Sequence, residues 1–224
     1  MKKLFTFVFV FLFYFTFSQN KKIEAYLSYN VGFGIINSLN ITQNLKNDNF
    51  PVMKNLNSHD GLGVNFRINN FIFYPSISYL SQKKYSSGTE DKRIVFNNNG
   101  INVSLMYKVF EKEYLGLFCG PQYSYSSNTI LLEASKNVID LNDISNSILS
   151  YSSKIHLYQN MLGLNLRLDF PDEALFPAFL DISYMYAINK TQWSSESAEI
   201  KNSPLEQTST FSILAGFGLF KLTR

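Results

Sequence analysis

Apolar residues alternate with small or polar ones along much of this chain, and a period of two predicts β-strands. The clearest window begins at Glu24, where Leu27, Val31 and Phe33 share one face and Gly, Ser and Asn fill most of the other. Most of these windows approach the roughly 9–11 residues that a tilted strand needs to cross a bilayer. The eight windows span 24–35, 61–68, 71–82, 100–109, 115–126, 162–170, 176–189 and 211–219.

The connections between these windows alternate in length. Three of them are short, and they lie at 69–70, 111–113 and 171–175. The others are longer, polar and rich in Asn and Ser, and they lie at 37–60, 84–95, 127–156 and 190–208. Short turns at one rim and long loops at the other are typical of outer-membrane β-barrels, and an even strand number places both termini at the short-turn, periplasmic rim.

Alternation alone would also fit a soluble barrel or sandwich with its apolar face turned inward. Two features favour the opposite arrangement, with the apolar face toward lipid. The non-apolar face consists mainly of Gly, Ser and Asn, which suit the crowded interior of an eight-stranded barrel. Aromatic residues gather at the strand ends, as in the interfacial girdles of membrane barrels. They are Phe71, Phe73, Tyr107, Tyr114, Phe170 and Phe176 beside the short turns, and Tyr79, Tyr123, Tyr125, Tyr186 and Phe211 toward the long loops.

The first residues of the chain have the pattern of a secretory signal peptide. Lys2 and Lys3 precede an apolar run that ends at Phe17, and the chain turns polar after Ser18. A transmembrane anchor is the alternative, but the run is shorter than the roughly 20 residues that a spanning helix needs. We therefore predict cleavage between Ser18 and Gln19, with residues 1–18 as signal peptide and 19–224 as a single barrel domain.

Charge and cysteine content narrow the function. Removing Lys2 and Lys3 lowers the formal net charge from +3 to +1, which leaves no basic patch for nucleic acid. Cys119 is the only cysteine, so an internal disulfide is impossible. In this register Cys119 faces lipid as a small apolar side chain.

Two strand windows carry specific motifs. The third contains Phe73-Tyr74-Pro75-Ser76-Ile77-Ser78-Tyr79, and the fifth contains Gly120-Pro121-Gln122-Tyr123-Ser124-Tyr125. The first motif resembles the aromatic-x-Pro-x-x-x-Tyr third strand of the PorT-like outer-membrane β-barrel family, and the second resembles that family's fifth strand. The wider resemblance, to small OmpA/OmpX-type barrels, covers residues 20–224. It implies one eight-stranded barrel without shared catalytic residues, and a link to secretion or envelope assembly.

The prolines of these motifs lie within strands, although proline cannot donate a ladder hydrogen bond. A closed barrel offers no edge strand for Pro75 or Pro121. We therefore expect a bulge or a gap in the pairing at each of them.

Six charged residues fall on the inward face of the predicted strands. Charges facing the middle of the bilayer would cost about 2–4 kcal/mol each for Arg or Lys, whereas inside the barrel they can pair. We predict that Arg67 and Arg167 pair with Glu24, Asp169 or Asp181 and that the cluster closes the lumen; a gated ion or proton path is the alternative. The six residues are Glu24, Arg67, Lys108, Arg167, Asp169 and Asp181.

An enzymatic role finds little support in the sequence. His59 and His156 lie near loop boundaries, with Ser152 and Ser153 close to His156. A catalytic Ser–His pair needs hydrogen-bond geometry and a third orienting group, and His156 lacks the His-x-Ser spacing of lipid A deacylase barrels. Two histidines and one cysteine far apart give no metal-ligand spacing. We predict no catalytic residue, metal or cofactor.

The long loops remain the best candidates for activity. We predict an outer-membrane protein with a structural or binding role, whose partners are membrane lipid and, through loops 37–60 and 127–156, envelope or secretion proteins. A narrow pore, or less plausibly a lipid-modifying enzyme, is the alternative. Apolar interruptions at 50–53 and 130–132 either pack within the loops or form a partner-binding surface. The sequence leaves the oligomeric state open.

Overall fold

A computed structural model describes residues 23–37, 39–47, 50–51, 55–86, 90–112, 115–136, 150–170, 178–195 and 203–223. The predicted signal peptide, Tyr114 and Phe176 lie outside these residues. The strands are β1 Ile23–Ile36, β2 Leu56–Ile68, β3 Phe71–Ser86, β4 Glu90–Lys112, β5 Leu115–Lys136, β6 Ser150–Phe170, β7 Ala178–Ala187, β8 Thr191–Gln192, β9 Leu205–Glu206 and β10 Ser209–Thr223, and the helix α1 is Asn40–Asn47.

Eight of these strands form one closed antiparallel barrel, which confirms the predicted fold class. Each strand pairs with its neighbours along the chain, and β1 closes the barrel by pairing with β10. The two remaining strands, β8 and β9, form a small hairpin of their own. Among the described residues, no helix is both long and apolar enough to cross a bilayer.

The apolar face of the strands points outward. On β1, Leu27, Tyr29, Val31 and Phe33 are all exposed, whereas Asn30 between them is buried in the lumen. The same alternation continues on the other barrel strands, where the outward residues are large and apolar and the inward ones are mostly Ser, Asn, Gln or Gly. A wall of this kind is stable only against an apolar solvent, so the barrel carries a lipid-facing belt.

The structure describes one tight turn at the short-turn rim, where β1 begins and β10 ends. The β2–β3 turn consists of Asn69 and Asn70 only, and Asn69 has a φ of 52°. Left-handed backbone of this kind suits two-residue hairpin turns, and Asn tolerates it better than most residues. At this rim, Phe71 and Tyr107 pack edge to face with ring centroids 5.1 Å apart.

The strands at the long-loop rim are much longer than the sequence windows. β3, β4, β5 and β6 contain 16, 23, 22 and 21 residues. The predicted loops 84–95 and 127–156 are therefore wrong in extent, because most of each belongs to strands. The predicted loop 37–60 is also too long, because residues 56–60 belong to β2, and its remaining part contains α1. Loop 190–208 contains the β8–β9 hairpin. The seventh predicted window, 176–189, extends too far, because β7 ends at Ala187 and Asn189 is exposed beyond it.

Both strand prolines lie at gaps in the pairing, which is one of the two outcomes expected from the sequence. The β2–β3 ladder stops after Gly63 and resumes at Phe66 without a change of register, opposite Pro75. The β4–β5 ladder is interrupted in the same way opposite Pro121. Both prolines stay paired with the strand on their other side. The β-bulges occur elsewhere, between Leu27 and Ser28 and between Lys108 and Phe110.

Candidate functional site

The lumen near the short-turn rim is centred on Arg167. Arg167 on β6 lies directly opposite Asp181 on β7 in the strand register. Its Nε donates to Asp181 Oδ1 and its Nη2 donates to Asp181 Oδ2, each at 2.6 Å. A third donor, Nη1, contacts the side-chain oxygen of Asn65. Arg167 is fully buried, so this bidentate, charge-assisted pair replaces the water that the guanidinium would otherwise bind.

Two aromatic rings lie against the same guanidinium. The Cζ atom of Arg167 is 3.8 Å from the ring centroid of Phe179 and 4.3 Å from that of Tyr74, which suits cation–π interactions. Glycines make room for both rings. A Cβ at Gly63 would collide with the Tyr74 ring, and a Cβ at Gly216 would collide with the Phe179 ring. These two glycines are therefore part of how the sequence seats Arg167.

A second set of ion pairs lies nearer to the rim. Arg67 Nη1 is 3.1 Å from Asp169 Oδ2, and Arg67 Nη2 contacts Glu111. Lys108 also pairs with Glu111. Glu24 lies opposite Arg67 in the β1–β2 register. All six residues singled out in the sequence thus occupy lumen-side positions close to one another.

Sequence reasoning missed several residues of this cluster. Phe118 and Phe179 are large aromatic residues on the lumen face, and they were not assigned to either face. Their spacing could have placed them, since Phe118 is in phase with Gly116 and Gln122 and Phe179 is in phase with Asp181. Arg67 lies 5.1 Å from the Phe118 ring centroid. The rings and the ion pairs therefore form one buried cluster on the lumen side of the strands.

A small polar cavity lies beyond the charge cluster, in the middle of the lumen. Its volume is about 50 Å³. Four buried polar atoms that line it have no hydrogen-bond partner within the part of the chain that the structure describes, and they belong to Asn30, His59, Gln122 and Asn165. A cavity of this size has room for only a few water molecules.

The lumen becomes apolar toward the long-loop rim, and we call this region the outer cap. In it, the inward residues of the extended strands are aliphatic or aromatic, and α1 and Trp193 pack among them. Phe50 and Ile130 are buried here, which supports packing rather than partner binding for those segments. The outer cap consists of Ile36, Leu39, Ile41, Leu45, Phe50, Leu80, Ile94, Phe96, Ile130, Ile155, Leu157 and Trp193.

One buried carboxylate joins the parts of the outer cap. Glu206 accepts hydrogen bonds from the backbone N–H groups of Asn40 and Ile41, at 2.9 and 2.8 Å. Its Oε1 also accepts a hydrogen bond from the indole N–H of Trp193, at 3.2 Å. The first N–H groups of a helix lack partners within the helix, and the helix dipole favours negative charge at that end. Glu206, which is 2 % exposed, therefore anchors α1 to the last loop.

The arrangement offers little for catalysis. His156 Nδ1 lies 3.1 Å from the Thr129 hydroxyl, and Ser153 lies on the opposite face of β6. The His156 Nε2 atom has no partner among the described residues, so a third orienting group is missing there. The described part of the chain also contains no group of three His, Cys, Asp or Glu residues that could hold a metal ion.

These features define the class of the molecule: a small, closed, eight-stranded β-barrel with a lipid-facing exterior and charged and polar side chains in its lumen. This is the fold of small outer-membrane β-barrel proteins, and it supports a location in the outer membrane. No family model matches the sequence, and no curated protein matches it either. The resemblance to the PorT-like family therefore remains a prediction.

Solved structures give the comparison at the level of the fold. Ail, the attachment invasion locus protein of Yersinia pestis, solved in complex with the heparin analogue sucrose octasulfate, is 12 % identical, with a TM-score of 0.52 over 89 % of this chain and 99 % of that chain. Neisserial surface protein A is 13 % identical, with a TM-score of 0.49 over 87 % and 95 % of the two chains. A major outer membrane protein of Thermus thermophilus is 11 % identical, with a TM-score of 0.48 over 87 % and 99 %. The likeness to Ail concerns the fold alone.

Proposed function

We propose that this protein is a non-conducting outer-membrane barrel whose extracellular extension binds a partner in the cell envelope or its surroundings. The signal peptide 1–18 would deliver it to the membrane and be removed after Ser18. An even number of strands places both termini at the short-turn rim, which in outer-membrane barrels faces the periplasm. The outer cap, at the opposite rim, then faces the exterior.

The observation that carries this proposal is the outer cap. Beyond the aromatic girdle, the inward side chains of β3 to β6 become mainly apolar, whereas the outward ones become mainly polar or charged, as Asn97, Arg93 and Glu133 illustrate. The paired residues Val95 and Leu131 are apolar exceptions on the outward face. This is the polarity of a water-exposed protein with its own core. The extension therefore presents an ordered polar surface to the exterior, which a purely structural barrel would not require.

The test uses the intact barrel as bait in native outer membranes, with chemical cross-linking before solubilisation. We expect one partner to be captured by the wild type and to be lost when outward charges of the extension are reversed in pairs, as in Arg93→Glu with Lys154→Glu. Arg67→Gln within the lumen is the matched control, because it leaves the outer surface unchanged. Equal capture by all three proteins, or no specific partner with any of them, would contradict a binding role.

A pore is a less suitable function for this lumen. The charge cluster closes the lumen at one end and the outer cap closes it at the other, with a cavity of about 50 Å³ between them. We likewise propose no enzymatic role. If alanine variants of both His59 and His156 abolished a change to lipid A in cells, that proposal would be reversed.

A further inference from the structure

The polar cavity in the middle of the lumen contains more hydrogen-bond acceptors than the surrounding side chains use. Three of the atoms that line it without a partner among the described residues are amide oxygens, and they belong to Asn30, Gln122 and Asn165. Each of these side chains is at most 9 % exposed. A buried polar atom without a partner costs free energy, so three of them in one cavity indicate that the cavity holds a bound species.

The three amide groups belong to one connected set of lumen residues. Tyr74, Ser104 and Gln122 follow one another in register across β3, β4 and β5. Asn30 Nδ2 donates to the Tyr74 hydroxyl, and Asn165 Nδ2 donates to the Ser104 hydroxyl. Two of the amides therefore use their N–H groups on protein neighbours of Gln122, whereas their oxygens point into the cavity unused.

The unused capacity is for positive charge rather than for further acceptors. Amide oxygens can only accept, and no buried amide N–H group that lines the cavity lacks a partner within the described part of the chain. A water molecule would bring two donors, but its own oxygen would then need donors in turn. A cation needs only oxygen ligands, and protein carbonyl oxygens can replace its hydration shell.

The lining of the cavity suits a small monovalent cation. Asp181 is the only carboxylate among the described residues that line it, and both of its oxygens accept hydrogen bonds from Arg167. Calcium and magnesium sites rely on carboxylate ligands, which this cavity does not offer in a free form. A volume of about 50 Å³ also excludes bulky organic cations. An alkali-metal ion matches both the neutral oxygen ligands and the size.

We propose that the cavity binds one alkali-metal cation, Na⁺ or K⁺, through the side-chain oxygens of Asn30, Gln122 and Asn165. One or two water molecules complete its coordination, and the cavity has room for them. The ion supplies the positive charge that the three buried oxygens lack, and it links β1, β5 and β6 across the lumen. This site is independent of the partner-binding role of the extension.

The test compares the stability of the full-length mature barrel in three chloride salts at equal concentration. The protein is refolded into phosphatidylcholine vesicles with NaCl, KCl or choline chloride, and reversible unfolding by urea is followed by Trp193 fluorescence. Choline is too large for the cavity, so it maintains the ionic strength without binding. At a cation concentration about ten times the dissociation constant, the unfolding equilibrium constant should be about tenfold smaller in NaCl or KCl than in choline chloride.

A pair of glutamine variants locates the effect. Gln122→Met removes one of the three oxygens and nearly keeps the shape of the side chain, so the difference between the salts should disappear. Gln159→Met is the matched control, because Gln159 is also buried but lies outside the cavity, where its amide group binds Glu206 and Thr208. This control should lower the stability equally in all three salts and keep the tenfold ratio.

A direct measurement on the wild type does not depend on how the variants fold. The barrel is refolded and crystallised in rubidium chloride, and anomalous diffraction should place one rubidium ion within coordination distance of the three amide oxygens. Equal stability in the three salts, a salt difference that survives Gln122→Met, or its loss in Gln159→Met would overturn the proposal. Water density in the cavity without an anomalous peak would do the same.

Discussion

A buried guanidinium such as that of Arg167 must recover inside the protein the hydration that it loses. The guanidinium forms a bidentate pair with Asp181 and a hydrogen bond with the side chain of Asn65, and two aromatic rings lie against it. Such a pair contributes little net stability compared with an apolar replacement, but removing one partner alone leaves an uncompensated charge. The cost of a substitution here therefore depends on whether one or both partners are changed.

Asp181→Asn is expected to destabilise the barrel by about 3–5 kcal/mol, because it leaves the Arg167 charge buried and without a counter-ion. The double variant Arg167→Met with Asp181→Leu should recover most of this loss, since it removes both charges. The measurement is reversible unfolding by urea in lipid vesicles, followed by tryptophan fluorescence of Trp193.

Glu111→Gln provides the control for that comparison. Glu111 also pairs with a lumen cation, but its side chain is 36 % exposed, so the loss should be at most about 1 kcal/mol. Equal losses of unfolding free energy for Glu111→Gln and Asp181→Asn would show that burial does not determine how strongly the loss of an ion pair destabilises the barrel.

At the scale of secondary-structure elements, the four central strands change character along their length. On β5, Tyr123 and Tyr125 face outward near the girdle, and Gln122 and Ser124 face inward. Further along the same strand, Ile130 faces inward and is completely buried. The strand thus passes from a membrane-barrel pattern to a soluble-barrel pattern without interruption of its ladder with β6.

This change explains which elements the sequence could predict. Within the lipid belt, strict alternation of apolar and small residues identified all eight barrel strands and their outward faces. Beyond the belt, the apolar residues switch to the other face, and Asn-rich stretches such as 97–99 interrupt the pattern, so the strand extensions were interpreted as loops. The helix α1 was missed because it is short and lies in a polar segment, and its stability depends on packing in the outer cap.

The ladder between β5 and β6 leads to a prediction about loop replacement. Replacing residues 137–149 by Asn-Gly should preserve folding, because β5 and β6 stay paired as far as Ser135 and Ser150. Replacing 127–156 should expose the outer cap, because it removes Ile130 and Ile155. Protease resistance of the membrane-embedded barrel measures both. Equal resistance of the two variants at the long-loop rim would show that the extension is dispensable.

A second prediction concerns the attachment of α1. Glu206→Gln replaces one of the two acceptor oxygens by an NH₂ group. This group is a hydrogen-bond donor, so it cannot accept a hydrogen bond from the N–H groups of the helix. We expect about 1–2 kcal/mol of local destabilisation, seen as roughly 5–30-fold faster amide hydrogen exchange in residues 40–47.

The matched control for this change is Glu133→Gln. Glu133 forms an ion pair with Arg93 on the surface of the extension, so its loss should leave exchange in α1 unaltered. Faster exchange in the barrel strands as well as in α1 would argue that Glu206 supports the whole fold rather than the outer cap.

At the scale of the whole molecule, two different kinds of closure act in series. Ion pairs and aromatic rings occupy the lumen near the short turns, and an apolar core occupies it near the long loops. Phe118, Arg167 and Phe179 are each at most 2 % exposed, so these three side chains are packed inside this section of the lumen. Either closure alone would hinder the passage of ions.

Planar bilayers containing the wild-type barrel should therefore show no stable conductance steps. Trp193→Ala, which opens a space in the outer cap, should also remain silent, because the Arg167 cluster still fills the lumen. Discrete steps from the wild type would contradict the filled lumen, and steps from Trp193→Ala alone would show that the outer cap is the only barrier.

The contact between Glu206 and α1 has a consequence for the order of assembly. The carboxylate accepts its two backbone hydrogen bonds from Asn40 and Ile41, which precede Glu206 by 166 and 165 positions in the chain. A chain that emerges from its N-terminus first therefore exposes the first loop long before its acceptor exists. The outer cap is therefore completed only after the last part of the chain, which carries Glu206 and then β10, has reached β1. The contact between Glu206 and α1 is then a consequence of barrel closure.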